Sequence, residues 1–324
     1  MRHILHNDYE IQITGERFQN GHHYYYNDDY HYVTMSTDNK KAIYMEQFAL
    51  AHFLVDQGFY QTTLPIPNIY GEWFFKYKGQ QYVVLKIIQF QTSARQAHGQ
   101  TLAYFHKLNR SYPYEPKHVS SYGGWYDLWI DKLTMYERHI QDQETVRSHP
   151  FYQLLHDVFP YIIGVSENAV QTVRETDNSS QFNESDQGTI TFQRYDRHVL
   201  DPTIILNDLA YDHLTRDLAE YIRSIFLQGE KDAVKEGKRF LQDYQSVQSL
   251  SHFSWRSLYA RLVYPIHFFD LIAHSFNTKD LDGCYNKLQT LIDGQPQYEE
   301  RVQSLYEFIN SDYKLGRLPE LQWS

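Results

Sequence analysis

The sequence predicts an α+β chain in two lobes: a smaller strand-rich lobe over residues 1–88 with one helix, and a larger, mostly helical lobe over 89–324 with a small β insertion near 189–206. Three observations predict it. Alternating apolar and polar residues, broken by turn signals, fill most of the first stretch. Apolar residues recur at the helical period through most of the remainder. The character changes at residues 88–91, where the last strand-like run ends.

Tyr9-Glu10-Ile11-Gln12-Ile13 alternates as a strand does, and Gly15 and Gly21 punctuate the turns after it. Tyr24-Tyr25-Tyr26 and residues 30–35 follow, separated by the turn-like Asn27-Asp28-Asp29, which makes an antiparallel meander. Met45, Phe48, Ala49, His52 and Phe53 then repeat at helical spacing until Gln57-Gly58 ends the pattern. Leu64-Pro65-Ile66-Pro67 reads as an extended linker, because a proline disfavours helix at the residue before it. Residues 72–77 and 81–88 form a hairpin across Lys78-Gly79-Gln80.

In the second lobe Thr92 or Ser93 caps a helix over residues 94–108, and further helices fit 125–141, 149–159 and 163–176. The polar run 176–186 is a loop, and residues 189–192 and 203–206 are short β-like pieces. Thr215 caps an amphipathic helix whose stripe is Leu218, Ala219, Ile222, Ile225 and Phe226, with Asp217 in the first turn. Helices over 233–241, 255–276 (kinked or restarted at Pro265), 281–292 and 299–309 complete the chain.

Composition narrows the function. The formal net charge is −10 and there is no long basic run, which argues against nucleic acid and against anionic membrane as partners. The N-terminus lacks the apolar stretch of a signal peptide, and apolar runs such as Tyr82-Val83-Val84-Leu85 are far too short to span a bilayer. The one cysteine, Cys284, permits neither an internal disulfide framework nor a cysteine-based zinc site, and fits a reducing cytosol. His22-His23 near His31 hints at a metal patch, but no further ligand is evident at a typical spacing. The phosphate-binding loop, the dinucleotide fingerprint and the nucleophile elbow are all missing. The chain has 29 tyrosines, which reads equally as interaction surface or as compositional drift.

Three segments taken together resemble one family. Gly99-Gln100-Thr101-Leu102-Ala103-Tyr104-Phe105-His106 is similar to the G-x-x-L-A-x-x-H helix of aminoglycoside-phosphotransferase-like kinases. Residues 208–223, from Asp208-Leu209-Ala210 into Asp217-Leu218-Ala219, resemble their metal-binding Asp segment and the helix after it. Arg261-Leu262-Val263-Tyr264-Pro265 resembles a late helix of the endospore coat-associated branch, the YutH and CotS type. The resemblance spans essentially the whole chain and implies the bilobal protein-kinase-like fold.

It also implies where a kinase would keep its machinery: a Gly-rich loop, a strand lysine paired with a helix glutamate, a catalytic-loop Asp, and an Asn and a second Asp on magnesium. Most of it is missing. Gly15 and Gly21 make no G-x-G-x-x-G loop, and Tyr32-Val33-Thr34-Met35 holds no lysine. Glu46 takes the helix-glutamate position, and Lys86 is a nucleotide-binding candidate by charge alone. The catalytic loop aligns with residues 191–200, which puts Gln193 at the catalytic Asp and His198 at the metal Asn. A carboxamide accepts no proton as a general base, and imidazole is a poor magnesium ligand. A shifted frame makes Asp196 the catalytic Asp, with Asp201 replacing the Asn. Asp208 remains as the candidate metal ligand.

The resemblance implies a non-catalytic, pseudokinase-like protein made in the mother-cell cytoplasm and then placed in the spore coat, with other coat proteins as partners and no cofactor. The second reading is a small-molecule phosphotransferase using ATP and Mg with displaced catalytic residues.

Overall fold

The structure, a computed structural model, describes residues 1–19, 22–38, 40–90, 96–142, 149–177 and 182–313. Its contacts divide the chain into two compact units: residues 1–120 with 189–212, and residues 121–188 with 213–324. This grouping differs from a linear break near residue 88. The segment 189–212 packs with the first unit through hydrogen bonds such as Thr63 N–H to Ile204 O (2.9 Å) and Tyr211 N–H to Val119 O (3.0 Å).

The first unit opens with helix α1 (Arg2–Tyr9), then strands β1 (Gly15–Gln19), β2 (His22–Tyr26) and β3 (His31–Ser36), helix α2 (Lys41–Asp56), and strands β4 (Leu64–Ile66), β5 (Phe74–Tyr77) and β6 (Gln80–Ile87). The sheet runs β1-β2-β3-β6-β4, with β5 also paired to β6, and every pairing is antiparallel. The meander turns where Asn27 Oδ1 accepts the N–H groups of Asp29 (3.1 Å) and Tyr30 (2.8 Å), the side-chain-to-backbone pattern that suits asparagine to turns. Lys78 and Gly79 both adopt positive φ (48° and 82°), as a two-residue hairpin loop requires.

Two expectations here need correction. The alternating residues 9–13 are not a strand, because α1 ends at Glu10 in the left-handed region. Leu5, Tyr9 and Ile11 instead pack on the sheet face that carries Tyr25, Tyr32, Phe75 and Val84, so the period-2 pattern reports burial rather than pairing. Leu64–Ile66 is an edge strand rather than a linker; Pro65 is tolerated because an edge strand leaves one row of donors unpaired.

The first unit continues with α3 (His98–Asn109) and, after the excursion into the second unit, with β7 (Thr189–Phe192) and β8 (Leu209–Asp212), an antiparallel pair. The expected cap at Thr92 or Ser93 lies outside the described residues. Residues 203–206 contribute only an isolated bridge from Ile204 to Thr62; the second strand of the pair lies further on, at β8.

The second unit is helical: α4 (Trp125–Asp142), α5 (Pro150–Asp177), α6 (Thr215–Gln228), α7 (Ala233–Gln245), α8 (His252–Val263), α9 (Ile266–Ser275) and α10 (Leu281–Tyr313). Pro265 separates α8 from α9, whereas α5 runs through Pro160 and α10 through Pro296, so two predicted breaks are absent. A proline removes one helix hydrogen bond. Burial on both sides, by Phe151, Leu155, Ile162 and Ala169 in α5 and by Leu288, Val302 and Leu305 in α10, outweighs that loss. No helix among the described residues is long and apolar enough to cross a membrane.

Thr215 is the first residue of α6 rather than its cap. Its hydroxyl joins a buried polar cluster instead: it lies 2.7 Å from His213 Nδ1 and 3.0 Å from the Ser257 hydroxyl. His213 Nε2 faces Asp186 Oδ1 at 3.3 Å, and Asp186 also accepts the hydroxyls of Ser251 and Ser254 (2.6 Å each) and the Asn183 N–H (2.8 Å). Hydroxyl, imidazole and carboxylate in series resemble a nucleophilic relay. Asp186, His213 and Thr215 are all 0% exposed, so the series acts as a staple between loop and helix ends. Burial pushes the Asp186 carboxyl up, but His213, Ser251, Ser254 and the Asn183 amide outweigh it and hold the group below the usual carboxylate range.

A carboxyl lowered on folding contributes stability above about pH 4 and loses it as the pH falls toward the folded value. Asp186→Ala is therefore expected to cost about 3 kcal/mol in denaturant unfolding at pH 7, with the gap to wild type closing in acid.

Candidate functional site

The site is built on α2, whose interior holds two adjacent polar residues, Glu46 and Gln47. Gln47 is 1% exposed on the same face as the buried Tyr44, Phe48 and Ala51. Its Nε2 donates to the carbonyls of Asn207 (2.8 Å) and Leu209 (3.1 Å), the two residues flanking Asp208. The Asp208 carbonyl accepts the Gln193 N–H at 2.7 Å. Asp208 is thus held at the mouth of β8 by bonds to the backbone on either side of it.

Glu46 is not directed at a lysine. Its carboxylate accepts three successive backbone N–H groups, from Lys117 (2.9 Å), His118 (2.7 Å) and Val119 (3.0 Å). Consecutive amides of this kind form a nest for an anion, and Glu46 fills it. Lys86 pairs with Tyr32 across the β3–β6 ladder, on the sheet face that α1 covers. Its Nζ sits 3.3 Å from the Tyr30 ring centroid, a cation–π contact. The structure therefore brings neither Glu46 to Lys86 nor Lys86 to Asp208.

Gln193, His198 and Asp208 do come together. Gln193 follows β7, and its Nε2 donates to the Asn207 carbonyl at 3.0 Å. His198 opens a single 3-10 turn, stacks on Phe192 (4.8 Å between ring centroids) and accepts the Asp196 N–H on Nδ1 at 3.0 Å. With Nδ1 acting as acceptor, the ring carries a proton on Nε2, which faces Asp208 at 3.9 Å. From the other side of this loop, His98 on α3 shares a 2.7 Å hydrogen bond with the Tyr195 hydroxyl. Burial, with help from Arg197, pushes His98 down to about 4, so it stays neutral there.

Electrostatics tie the carboxylates together. Burial pushes the Asp208 carboxyl up and Asp201 adds to this, while His198 and His22 pull it back. Burial also raises Asp201, eased by His198 and reinforced by Asp196. Asp196, the catalytic residue of the shifted frame, is exposed and touches this set through its backbone bond to His198 and its charge near Asp201. A cavity of about 690 Å³ opens beside Asn207, lined by His22, Met35, Asp38, Lys40 and Tyr44 among others.

These residues do not fit the magnesium that the fold family implies. Magnesium asks for several hard oxygen ligands in octahedral geometry. Here an imidazole stands beside one carboxylate, and among the described residues no group of three or more His, Cys, Asp or Glu is placed to hold a metal. Asn207 Oδ1 is buried without a hydrogen-bond partner, but it supplies a single oxygen. Met35, on β3, lines the cavity, and that strand holds no lysine.

Solved structures show the class. An aminoglycoside phosphotransferase from Alicyclobacillus acidocaldarius superposes with a TM-score of 0.64 over 92% of this chain and 93% of its own, at 13% identity. A microcompartment-associated aminopropanol kinase superposes with a TM-score of 0.58 over 90% of this chain and 93% of its own, at 10% identity. The fold is that of the aminoglycoside-phosphotransferase-like kinases. Residues 2–305 match the family described as "Spore coat putative kinase YutH", and the chain belongs to that family. It is 32% identical over 284 residues to the endospore coat-associated protein YutH of Bacillus subtilis strain 168, covering 86% of this chain and 84% of that protein.

Sequence reasoning missed Gln47 and the His98–Tyr195 pair. Gln47 had a signal, since a carboxamide on the apolar stripe of a helix needs buried partners. His98 had none, because its partner lies 97 residues away.

Glu46→Ala is expected to cost about 2 kcal/mol in chemical denaturation, since three backbone donors lose a charged acceptor. Asp208→Asn should raise the thermal midpoint at pH 7. The wild-type carboxyl is raised in the folded state, so its ionisation opposes folding at neutral pH, and the advantage of the variant should shrink as the pH falls.

Proposed function

We propose that this chain is a non-catalytic, spore-coat-associated protein that acts in sporulation by binding or scaffolding. It is made in the mother-cell cytoplasm and then joins the coat, with other coat proteins as partners. The observation that carries the reading is Gln193. At the catalytic position it offers a carboxamide, which cannot take a proton, and its donor is committed to the Asn207 carbonyl. Glu46 and His198 support it, since each stands where phosphoryl transfer needs a different partner or a different residue. Family membership and the coat-associated relative support the setting. Most tyrosines of the first sheet are buried or half-buried, but Tyr70 (74% exposed) and Tyr114 (67%) offer aromatic surface for partners.

One observation favours phosphotransfer as the second reading. Asp196, Asp201 and Asp208 form a chain of mutually interacting carboxylates at the loop where a kinase keeps its base and metal ligand. In that reading Asp196 is the base, and ATP with Mg is the donor.

Thermal unfolding with and without millimolar ATP and MgCl₂ separates the two. No shift is expected. A ligand at about 100 times its Kd adds roughly 2.7 kcal/mol. A magnesium-dependent rise that Asp208→Asn abolishes, together with phosphate release that Asp196→Asn abolishes, would establish the phosphotransferase instead.

A further inference from the structure

Helix α4 buries Trp125 and Tyr136 on one face. Its opposite face carries an exposed seam. Leu128, Asp131, Met135 and Arg138 follow one another at spacings of three and four residues, so they share one side of the helix, and each is exposed. Leu128 is 47% and Met135 53% exposed, so two large apolar side chains stand in solvent one heptad apart. An amphipathic helix ordinarily turns such a stripe toward a packing partner.

Beside the seam, a groove of about 760 Å³ runs between α4 and the end of α9. Met135 and His139 line it from α4, and Ala273 and Phe276 line it from the other side. The His139 ring packs on Phe276 at 3.7 Å between ring centroids, and Phe276 meets the buried Tyr136 at 5.9 Å. The groove therefore offers an aromatic wall, half-buried at Phe276, next to the exposed Met135.

The charges of the seam are symmetric about its middle. Asp131 and Arg138 lie two helical turns apart, one on each side of Thr134-Met135, and each is about 5 Å along the helix from that midpoint. A second α4 laid antiparallel on the first, across a twofold axis at Thr134-Met135, sets each Asp131 opposite the Arg138 of the second copy. A parallel pairing in register sets Asp131 on Asp131 and Arg138 on Arg138, which repel, so the sign pattern selects the antiparallel arrangement. A twofold axis also brings each patch against its own copy. The two Met135 side chains then meet at the axis, and Leu128 of one copy lies toward the His139–Phe276 pair of the other.

We propose that this face is the interface of a homodimer, in which two copies of this chain pack through antiparallel α4 helices. The paired charges fix the orientation, while Met135, Leu128 and the groove supply the apolar contact. One helix face with its groove is a small interface, which suits a reversible dimer. The face lies wholly within the second unit and is independent of the reading of Gln193 and Asp208.

Sedimentation velocity of the full chain from about 1 to 200 μM tests this, and a concentration-dependent dimer is expected in that range. Asp131→Arg and Arg138→Asp, both at exposed positions, each set like charges opposite one another and should each weaken dimerisation by about tenfold or more. An equimolar mixture of the two variants should regain it, because each of the facing positions then meets the opposite sign. Thermal midpoints that match the wild type would show that both variants are folded. A wild-type chain that stays monomeric up to about 200 μM, a dimer that neither reversal weakens, or a mixture that remains monomeric would each overturn the proposal.

Discussion

Buried backbone groups must find hydrogen-bond partners, and α2 meets that demand for two distant stretches of the first unit. Gln47 gives its N–H groups to the carbonyls on either side of Asp208, and Glu46 gives its carboxylate oxygens to three amides at residues 117–119. Adjacent residues of opposite hydrogen-bonding character therefore hold two loops with one helix. The position of Asp208, the mouth of β8 and the setting of the loop after β7 all follow from those bonds.

This solution differs in kind from a lysine–glutamate bridge. Such a bridge couples helix and strand through two charges and leaves the lysine able to meet a phosphate. Here the glutamate is consumed by backbone, and the strand opposite presents Met35. The same inward turn recurs across the loop, where Gln193 Nε2 is spent on the carbonyl of Asn207 and His198 Nδ1 on the amide of Asp196. These polar groups hold the protein's own chain in place. Asp208 is the exception, a half-buried carboxylate whose charge is eased chiefly by imidazoles.

Much of the architecture was legible in the sequence because its signals are local. The hairpin at Lys78-Gly79, the helix after Leu214 with its apolar stripe, and the strand at residues 189–192 all stand where propensity and period place them. The failures share one cause, which is packing overriding a local rule. Period-2 alternation at residues 9–13 came from a helix end folded over a sheet, and Pro160 and Pro296 sit inside helices whose burial tolerates a lost rung. At the site, the types and spacing of Gln193, His198 and Asp208 were readable, and the structure gathers them. The fate of Glu46 was not readable. A carboxylate that binds amides 71 to 73 residues away leaves no trace in the residue types at those positions, since every non-proline residue carries the same N–H.

The chain's one thiol has a practical consequence. Cys284 is 1% exposed on α10, and burial, with Asp280 nearby, raises its pKa, so little thiolate is present to react. The native protein is thus nearly silent toward maleimides. A single cysteine introduced at an exposed position would be labelled against an almost empty background, which opens this protein to distance measurements by fluorescence or spin labels without first removing a native residue.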